Sequence, residues 1–589
     1  MGMTTDGLSH WQAESEGTSL LDTTIGDLLD RRADELPTQE AIVYSCYPEF
    51  GDALTLRWTY QEYRERANQV VRGLIALGLH KGDHIAVLAA NLPEWPLLML
   101  GAAKAGLVLV TINPVLRAAE VEYILKQGDV RALFFMARVR DYDHLATIRT
   151  LITPGTKNGE VTSKSLPRLS YVSLMGMAPA GLLEQEGWRP ALLREVIAGG
   201  VSVSDANLGE RQASVTPSDP AILMYTSGTT GFPKGAVLTH YSLVNNAVVY
   251  GKRLEPFAQR EGLEVKDLHS NVTFPFFHVA GIVIGLLNPL YFGCTIYPLL
   301  AFDPVKAMRV ISRECCHISG GAPTMVLAML QHPDFEQYDL SSLKVVGAGG
   351  APIPVFLMEQ VKARMAADVF IIFGQTEGSC CLTSTLPDDP FELKAATVGK
   401  PLPHIDVKII DPATGTVVPV GERGELCYRG FVAMMGYYKM PEKTAETIDA
   451  HGWLHSGDLA TMNAQGYLNI VGRLKDMVIR GGENLFPAEI EAFLIRHPRV
   501  ADAQVLGVPD AFFGEELLAV IRPREGVQLT EQELRDYCQG QISHQKIPRY
   551  FQFVESYPMT ASGKVQKFVL REQAIKALGL EDVAKIRTA

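Results

Sequence analysis

The run Tyr225-Thr-Ser-Gly-Thr-Thr-Gly-Phe-Pro-Lys234-Gly235 gathers groups suited to holding phosphate. Thr226, Ser227, Thr229 and Thr230 supply four hydroxyls, Gly228 and Gly231 let the backbone approach a ligand, and Lys234 adds a point charge. The run is not a Walker A loop, because GxxxxGK[ST] is not satisfied. A Gly/Thr-rich surface turn would explain a shorter segment, but eleven residues ending in Pro-Lys-Gly favour phosphate. Other segments carry isolated chemistry. Phe373-Gly-Gln-Thr376-Glu377-Gly378 presents a hydroxyl and a carboxylate. Ser456-Gly457-Asp458 presents a carboxylate able to accept two O–H donors side by side. Arg473, Lys475 and Arg480-Gly481-Gly482 follow, and Pro558-Met-Thr-Ala-Ser-Gly-Lys564 closes the series. Taken singly, each has a plainer explanation: loop Glu and Lys residues are usually solvated, and an Asp after Gly is usually a turn residue. No GxSxG elbow occurs and no cysteine stands in a nucleophile motif, so the chemistry is expected to need no protein nucleophile.

Elements that could position these groups alternate along the chain. Strands are predicted at 84–89, 107–112 and 130–135, with helices at 93–104 and 117–127, a β-α-β-α-β series that argues a parallel sheet covered by helices. Strands are also predicted at 221–225, 272–276, 343–346 and 369–373, each ending in a polar, Gly-containing turn. Open parallel sheets bind ligands beyond the carboxyl ends of their strands, so those four turns should hold the chemistry. A helix is expected over 353–366, after the turn Gly347-Ala-Gly-Gly350-Ala351-Pro352. The weakly periodic stretch from about 153 to 216 reads as a surface excursion with short elements. Short strands between Gly/Pro/Asn turns suggest a β-rich subdomain over about 399–471, and the remainder alternates helix and strand as a small α+β domain. The expected fold is therefore α/β: a large N-terminal domain, 1–472, of doubly wound, mostly parallel sheets, then a small domain, 473–589.

Composition bounds the rest. At 589 residues, at least two domains are expected. Apolar residues at 47% and charged residues at 20% exclude a disordered chain. With 54 Lys+Arg against 66 Asp+Glu, the net charge of −12 argues against a dominant nucleic-acid surface. The eight cysteines include the adjacent pairs Cys315-Cys316 and Cys380-Cys381 but no CxxC spacing, which points to a reducing compartment, the cytoplasm, and no structural zinc. The first thirty residues carry several acids and no Lys or Arg, the wrong charge for a secretory or mitochondrial leader. Val279–Leu300 is uncharged, but Gly281, Gly285, Gly293 and Asn288-Pro289 interrupt it, so buried core is expected rather than a membrane span. Peripheral membrane contact stays open.

The loop at 225–235 resembles the signature of the adenylate-forming ANL superfamily, which comprises acyl-CoA synthetases, peptide-synthetase adenylation domains and beetle luciferases. The resemblance runs from about Thr24 to Leu570, with the other motifs in order. It implies that Thr226, Ser227, Gly228, Thr229, Thr230, Gly231, Phe232, Pro233 and Lys234 close over the β- and γ-phosphates of ATP. It implies that Gly350, Ala351 and Pro352 pack on adenine, beside Phe373 in place of the family's usual Tyr. Glu377 becomes the Mg²⁺ ligand, Thr376 a contact to the α-phosphate or the metal shell, Asp458 the ribose acceptor and Arg473 a ribose and phosphate contact. Gly481 and Gly482 would line the pantetheine tunnel for CoA, Lys475 would be the hinge, and Lys564 the adenylation lysine. His278 would shape the acyl pocket rather than move protons, with Gly281, Gly321, Gly347 and Gln375 in the same pocket. Lys567 stands where the family often has Arg.

The implied activity is an AMP-forming ligase that joins a carboxylic acid, a medium- or long-chain fatty acid by the likeness of segments 542–549 and 564–571, to CoA through an acyl-adenylate. Alternatives are a fatty acyl-AMP ligase, an aryl or other carboxylate–CoA ligase and, from another class, a non-catalytic ATP-binding homologue. A peptide-synthetase adenylation domain is disfavoured, since little chain follows Lys564 to hold a carrier domain.

Overall fold

Buried β-branched and aromatic runs separated by amphipathic helices build two mixed sheets in the computed structural model, which describes residues 7–45, 55–182, 188–226, 233–351, 353–480, 483–510, 512–559 and 565–583. One sheet has eight strands in the order Ala191–Leu192, Tyr171–Met175, Val130–Met136, His84–Leu88, Val108–Ile112, Pro220–Thr226, Lys234–Thr239 and Gly436–Tyr437. The first six run parallel, Lys234–Thr239 runs antiparallel to them, and Gly436–Tyr437 pairs antiparallel to Lys234–Thr239 in turn. Val108–Ile112 is buried at every residue, and the neighbouring Phe134 and Phe135, which point to opposite faces, are both fully buried. Helices therefore cover both faces, which is why these strands read as continuous apolar runs instead of alternating ones. Glu94–Lys104 packs on this sheet, and the helix Tyr60–Ala76 packs on Glu94–Lys104 in turn. The start of Tyr60–Ala76 is fixed by a capping box in which Thr59 and Glu62 satisfy each other's backbone N–H groups.

The second sheet has nine strands: Lys400–Pro401, Thr383–Ser384, Asp368–Phe373, Val345–Gly349, Ile318–Gly321, His269–Val272, Thr295–Pro298, Glu40–Tyr44 and Leu56–Thr59. Its centre is parallel. Both sheets belong to one compact unit, Ala13–Ile405 with Arg429–Gly452. A second unit takes in Asp406–Tyr428, the chain from Trp453 onward and the N-terminal strand His10–Trp11. It contains an antiparallel five-stranded sheet, His10–Trp11, Ile405–Ile410, Gly424–Gly430, Leu454–Met462 and Leu468–Arg473. It also contains the α+β layout expected near the C-terminus. There the hairpin of Val500–Asp510 and Gly514–Pro523 is flanked by helices Pro487–Leu494, Glu531–Cys538 and Lys567–Ala577.

Three expectations need correction. The strand predicted at 272–276 is His269–Val272 and stops where its successor begins to turn. Pro275 cannot donate to a ladder, and the Asn91 side chain ties off the turn, accepting from Phe276 N at 2.7 Å and donating to Phe274 O at 3.0 Å. The helix predicted over 353–366 is α-helical only over Val355–Gln360, widens into a π-turn at Val361–Met365 and ends at Ala366 in the left-handed region. The stretch at 153–216 is not merely a surface excursion. Tyr171–Met175 is a largely buried strand paired in parallel with Val130–Met136. It is too short, and its flanks too polar, for periodicity to reveal it. The apolar stretch from Val279 breaks into three short helical segments and the strand Thr295–Pro298. Among the described residues no helix is long and apolar enough to cross a membrane.

Candidate active site

The described ends of the phosphate-loop motif belong to two antiparallel strands. Thr226 ends one strand, Lys234 opens the next, and the two are register partners. The expectation of a turn after a parallel strand is thus corrected on the outgoing side only: Pro220–Thr226 is parallel to Val108–Ile112 and antiparallel to Lys234–Thr239. Ser227, Gly228, Thr229, Thr230, Gly231 and Phe232 lie outside the described residues, while Thr226, Pro233 and Lys234 are described.

Glu377 arrives from the other sheet. After Phe373 the chain turns at Gly374, where a Cβ would sit 1.6 Å from the Cys380 carbonyl, so no other residue fits. Gln375 O then accepts from Gly378 N at 3.1 Å and Cys380 N at 3.2 Å, which folds Thr376–Gly378 into a single 3₁₀ turn. That turn presents the Glu377 carboxylate to the hairpin: Oε1 accepts from Thr226 Oγ1 at 3.3 Å and from the Tyr437 hydroxyl at 2.8 Å. Thr376 is buried, with its hydroxyl 4.0 Å from Met224 Sδ.

Tyr437 was not among the residues singled out from the sequence. A Gly-Tyr pair in a turn-rich segment has no chemical signature; only strand pairing with Ala236 and Val237 brings it here. The segment is stitched on both sides, since Met434 N donates to Glu377 O at 2.9 Å and Tyr438 N to Gly235 O at 2.8 Å. Lys234 Nζ lies 4.2 Å from the centre of the Tyr437 ring, a cation–π placement worth about 0.5–1 kcal/mol. Burial, and next the Glu377 charge, raise the Tyr437 phenol above its ordinary value, so it remains a donor to the carboxylate. One carboxylate oxygen of Glu377 is thus held by two hydroxyls. The other, Oε2, has no hydrogen-bond partner among the described residues. A half-buried carboxylate with one anchored and one available oxygen suits a hard divalent cation such as Mg²⁺, which takes few protein ligands besides substrate phosphate.

Replacing Tyr437 by Phe should keep the ring under Lys234 and remove one of the two donors on Glu377. A hydrogen bond to a charged group is worth about 1.5–3 kcal/mol, so turnover at limiting Mg²⁺ should fall by about tenfold or more. Pyrophosphate release titrated with Mg²⁺ measures it, and an unchanged titration would show that Tyr437 does not orient Glu377.

The remaining expected residues of this unit occupy the carboxyl ends of the second sheet. Gly350 and Ala351 are exposed just past Val345–Gly349, and Phe373 is half-buried at the end of the adjacent strand. Gly321 and Gly347 lie on neighbouring parallel strands. His278 caps the short helix Val279–Ile282, its Nδ1 accepting from Ala280 N at 3.3 Å. Gly281 packs so closely that a Cβ would meet the Pro275 carbonyl at 2.1 Å. Pro352 lies outside the described residues.

The second unit holds the other predicted contacts. Asp458, 2% exposed, pairs in register with Arg473, whose Nε reaches Oδ1 at 2.8 Å. Its backbone N donates to Ser456 Oγ at 3.0 Å, and Gly457 N donates to Glu425 Oε1 at 3.1 Å, fixing the turn that aims the carboxylate. Lys475 sits in the 3₁₀ turn Leu474–Asp476. Gly481, Gly482 and Lys564 lie outside the described residues.

Residues 29–438 match the AMP-binding enzyme family, and residues 489–564 match the AMP-binding enzyme C-terminal domain. The chain is 42% identical over 564 residues to YngI of Bacillus subtilis (strain 168), which bears the name of an acyl-CoA synthetase; the match covers 95% of this chain and 99% of that one. It is 38% identical over 582 residues to the mitochondrial medium-chain acyl-CoA ligase ACSF2 of Macaca fascicularis, covering 98% and 90%. The fold is similar to that of the anthranilate CoA ligase AuaEII in complex with anthranoyl-AMP, with a TM-score of 0.78 and 28% identity over 95% of this chain and 98% of the other.

Proposed function

We propose, from the premise that this chain belongs to the AMP-binding enzyme family and is an AMP-forming CoA ligase, that its carboxylate substrate is a medium- or long-chain fatty acid. The observation that carries the substrate class is the likeness, along almost the whole chain, to a medium-chain acyl-CoA ligase. The turn Phe274–Phe277 before His278, held by Asn91, supports it, because it places no charge next to His278.

In the first step a carboxylate oxygen attacks the α-phosphorus of ATP, and pyrophosphate leaves. In the second the CoA thiol, losing its proton, attacks the acyl carbonyl and AMP leaves. Thr226 and Lys234 hold the two ends of the phosphate loop at a fixed separation. Glu377, anchored by Thr226 and Tyr437, would hold Mg²⁺, which supplies charge neutralisation on the phosphates when bound. Asp458 and Arg473 orient the ribose, and Lys564 offsets negative charge in the first step. No side chain forms a covalent intermediate, so positioning and fixed charge must provide the acceleration. Lys475 is proposed as the hinge at which the C-terminal domain, beginning near residue 473, changes orientation between the two steps.

Pyrophosphate release and thioester formation across carboxylates of graded length test this reading. Each buried methylene is worth about 0.8 kcal/mol, so kcat/KM should climb about fourfold per added carbon until the pocket is filled. A maximum with benzoate-like acids would make this an aryl–CoA ligase. Pyrophosphate release with no thioester formed from CoA would make it a fatty acyl-AMP ligase.

A further inference from the structure

Glu425, Cys427 and His455 form a cluster of mixed donors beside the Asp458 turn, in the second unit. Glu425 and Cys427 lie on Gly424–Gly430, and His455 on the paired strand Leu454–Met462. Cys427 and His455 are register partners, and Glu425, two residues from Cys427 on the same strand, shares its face. His455 Nδ1 is 3.0 Å from Glu425 Oε2 and 3.5 Å from Cys427 Sγ, and the three donor atoms all lie within 4.8 Å of one another. Cys427 is fully buried and Glu425 nearly so, while the His455 side chain is 30% exposed, so solvent reaches the cluster from the imidazole side.

One imidazole nitrogen lies within reach of both a carboxylate oxygen and a thiol sulfur, a convergence of three donor atoms that one cation can bind at once. A tetrahedral Zn²⁺ site with bonds of about 2.0–2.3 Å separates its ligand atoms by about 3.3–3.6 Å; the two separations from Nδ1 are 3.0 and 3.5 Å, and the third lies within 4.8 Å, a gap that binding would close. Sulfur and imidazole nitrogen select a thiophilic ion over Mg²⁺. The expectation of no structural zinc rested on CxxC spacing, and ligands at 425, 427 and 455 meet only through sheet register.

We propose that Glu425 Oε2, Cys427 Sγ and His455 Nδ1 form a three-ligand site for a thiophilic divalent cation of the Zn²⁺ class, with water in the fourth position, and that filling it weakens nucleotide binding at Asp458. Binding displaces the thiol proton to solvent and leaves the thiolate on the metal. The coupling runs through Glu425, whose other oxygen accepts from Gly457 N at 3.1 Å. Drawing that carboxylate to a metal loosens the turn that aims Asp458. The coupling rests on the nucleotide role proposed above; the metal site does not.

Full-length protein stripped with chelator and titrated with Co²⁺ gives the test. The expected result is a single ion bound with a thiolate-to-cobalt charge-transfer band that Zn²⁺ abolishes. Cys427→Ser should lose the band. His455→Gln, on the open side of the cluster and less exposed to folding failure, should weaken binding by at least about 10- to 100-fold, the scale seen on losing even an outer partner. No band, a band that survives in Cys427→Ser, or undiminished binding in His455→Gln overturns the site. Zn²⁺ should raise KM for ATP in the wild type and not in His455→Gln. A metal that binds without moving KM overturns the coupling alone. A protein that makes no acyl-adenylate at all would defeat the proposed function while leaving the cobalt spectrum to judge the site.

Discussion

Glu377→Gln is expected to lower acyl-adenylate formation by about 10²–10³-fold, the scale for removing one preorganised electrostatic group, and to raise the Mg²⁺ needed for the residual rate. The substitution is nearly isosteric. Its amide oxygen still accepts from Tyr437, 2.8 Å from Oε1, and from Thr226, so the junction between the two sheets should persist. What disappears is the negative charge on the oxygen left available for a hard cation. The effect should exceed that of Tyr437→Phe, which perturbs only the orientation of the carboxylate. Because the two side chains touch, their effects should not add: Tyr437→Phe should cost little once Glu377 is Gln. Pyrophosphate release at graded Mg²⁺ in the four proteins measures both statements. An unmoved Mg²⁺ titration in Glu377→Gln would remove that residue from the metal site.

Lys564→Ala should separate the two half-reactions. An ammonium that offsets charge as the carboxylate attacks the α-phosphorus acts in the first step, so its loss should slow adenylation by about 10²–10³-fold. Thioester formation from preformed acyl-adenylate and CoA passes no charge to pyrophosphate and should be affected far less. Single-turnover measurement of pyrophosphate release, beside acyl-CoA yield from supplied acyl-adenylate, tests the split. An equal fall in both would assign Lys564 a structural role or one that spans both steps.

Much of the fold is legible in local pattern. Parallel strands buried on both faces leave continuous apolar runs, and helices leave a 3.6-residue stripe, so the alternation from His84 to Met136 was readable to within a residue or two. Where a side chain from elsewhere ends an element, local pattern fails: Asn91 closes the turn after Val272, which sequence reading carried on to Phe276. Tyr171–Met175 was likewise hidden, because a strand of five residues owes its place to the parallel neighbour it joins rather than to its own periodicity.

The sequence by itself determined the chemistry available: a loop of hydroxyls and glycines with a lysine, a Thr-Glu turn, a Gly-Asp turn and their order along the chain. Those follow from residue types within a few positions of each other, where covalent spacing fixes what can act together. Tertiary structure alone decided which distant groups became partners. Tyr437 reaches Glu377 across 60 residues, because the Gly436–Tyr437 strand pairs with the outgoing arm of the phosphate hairpin. Glu425, Cys427 and His455 converge because two strands far apart in the chain pair with Cys427 opposite His455. Register is set by the burial of whole sheets, a sum over many side chains, and shifting it by one residue turns each side chain to the opposite face; no local run of residues encodes it.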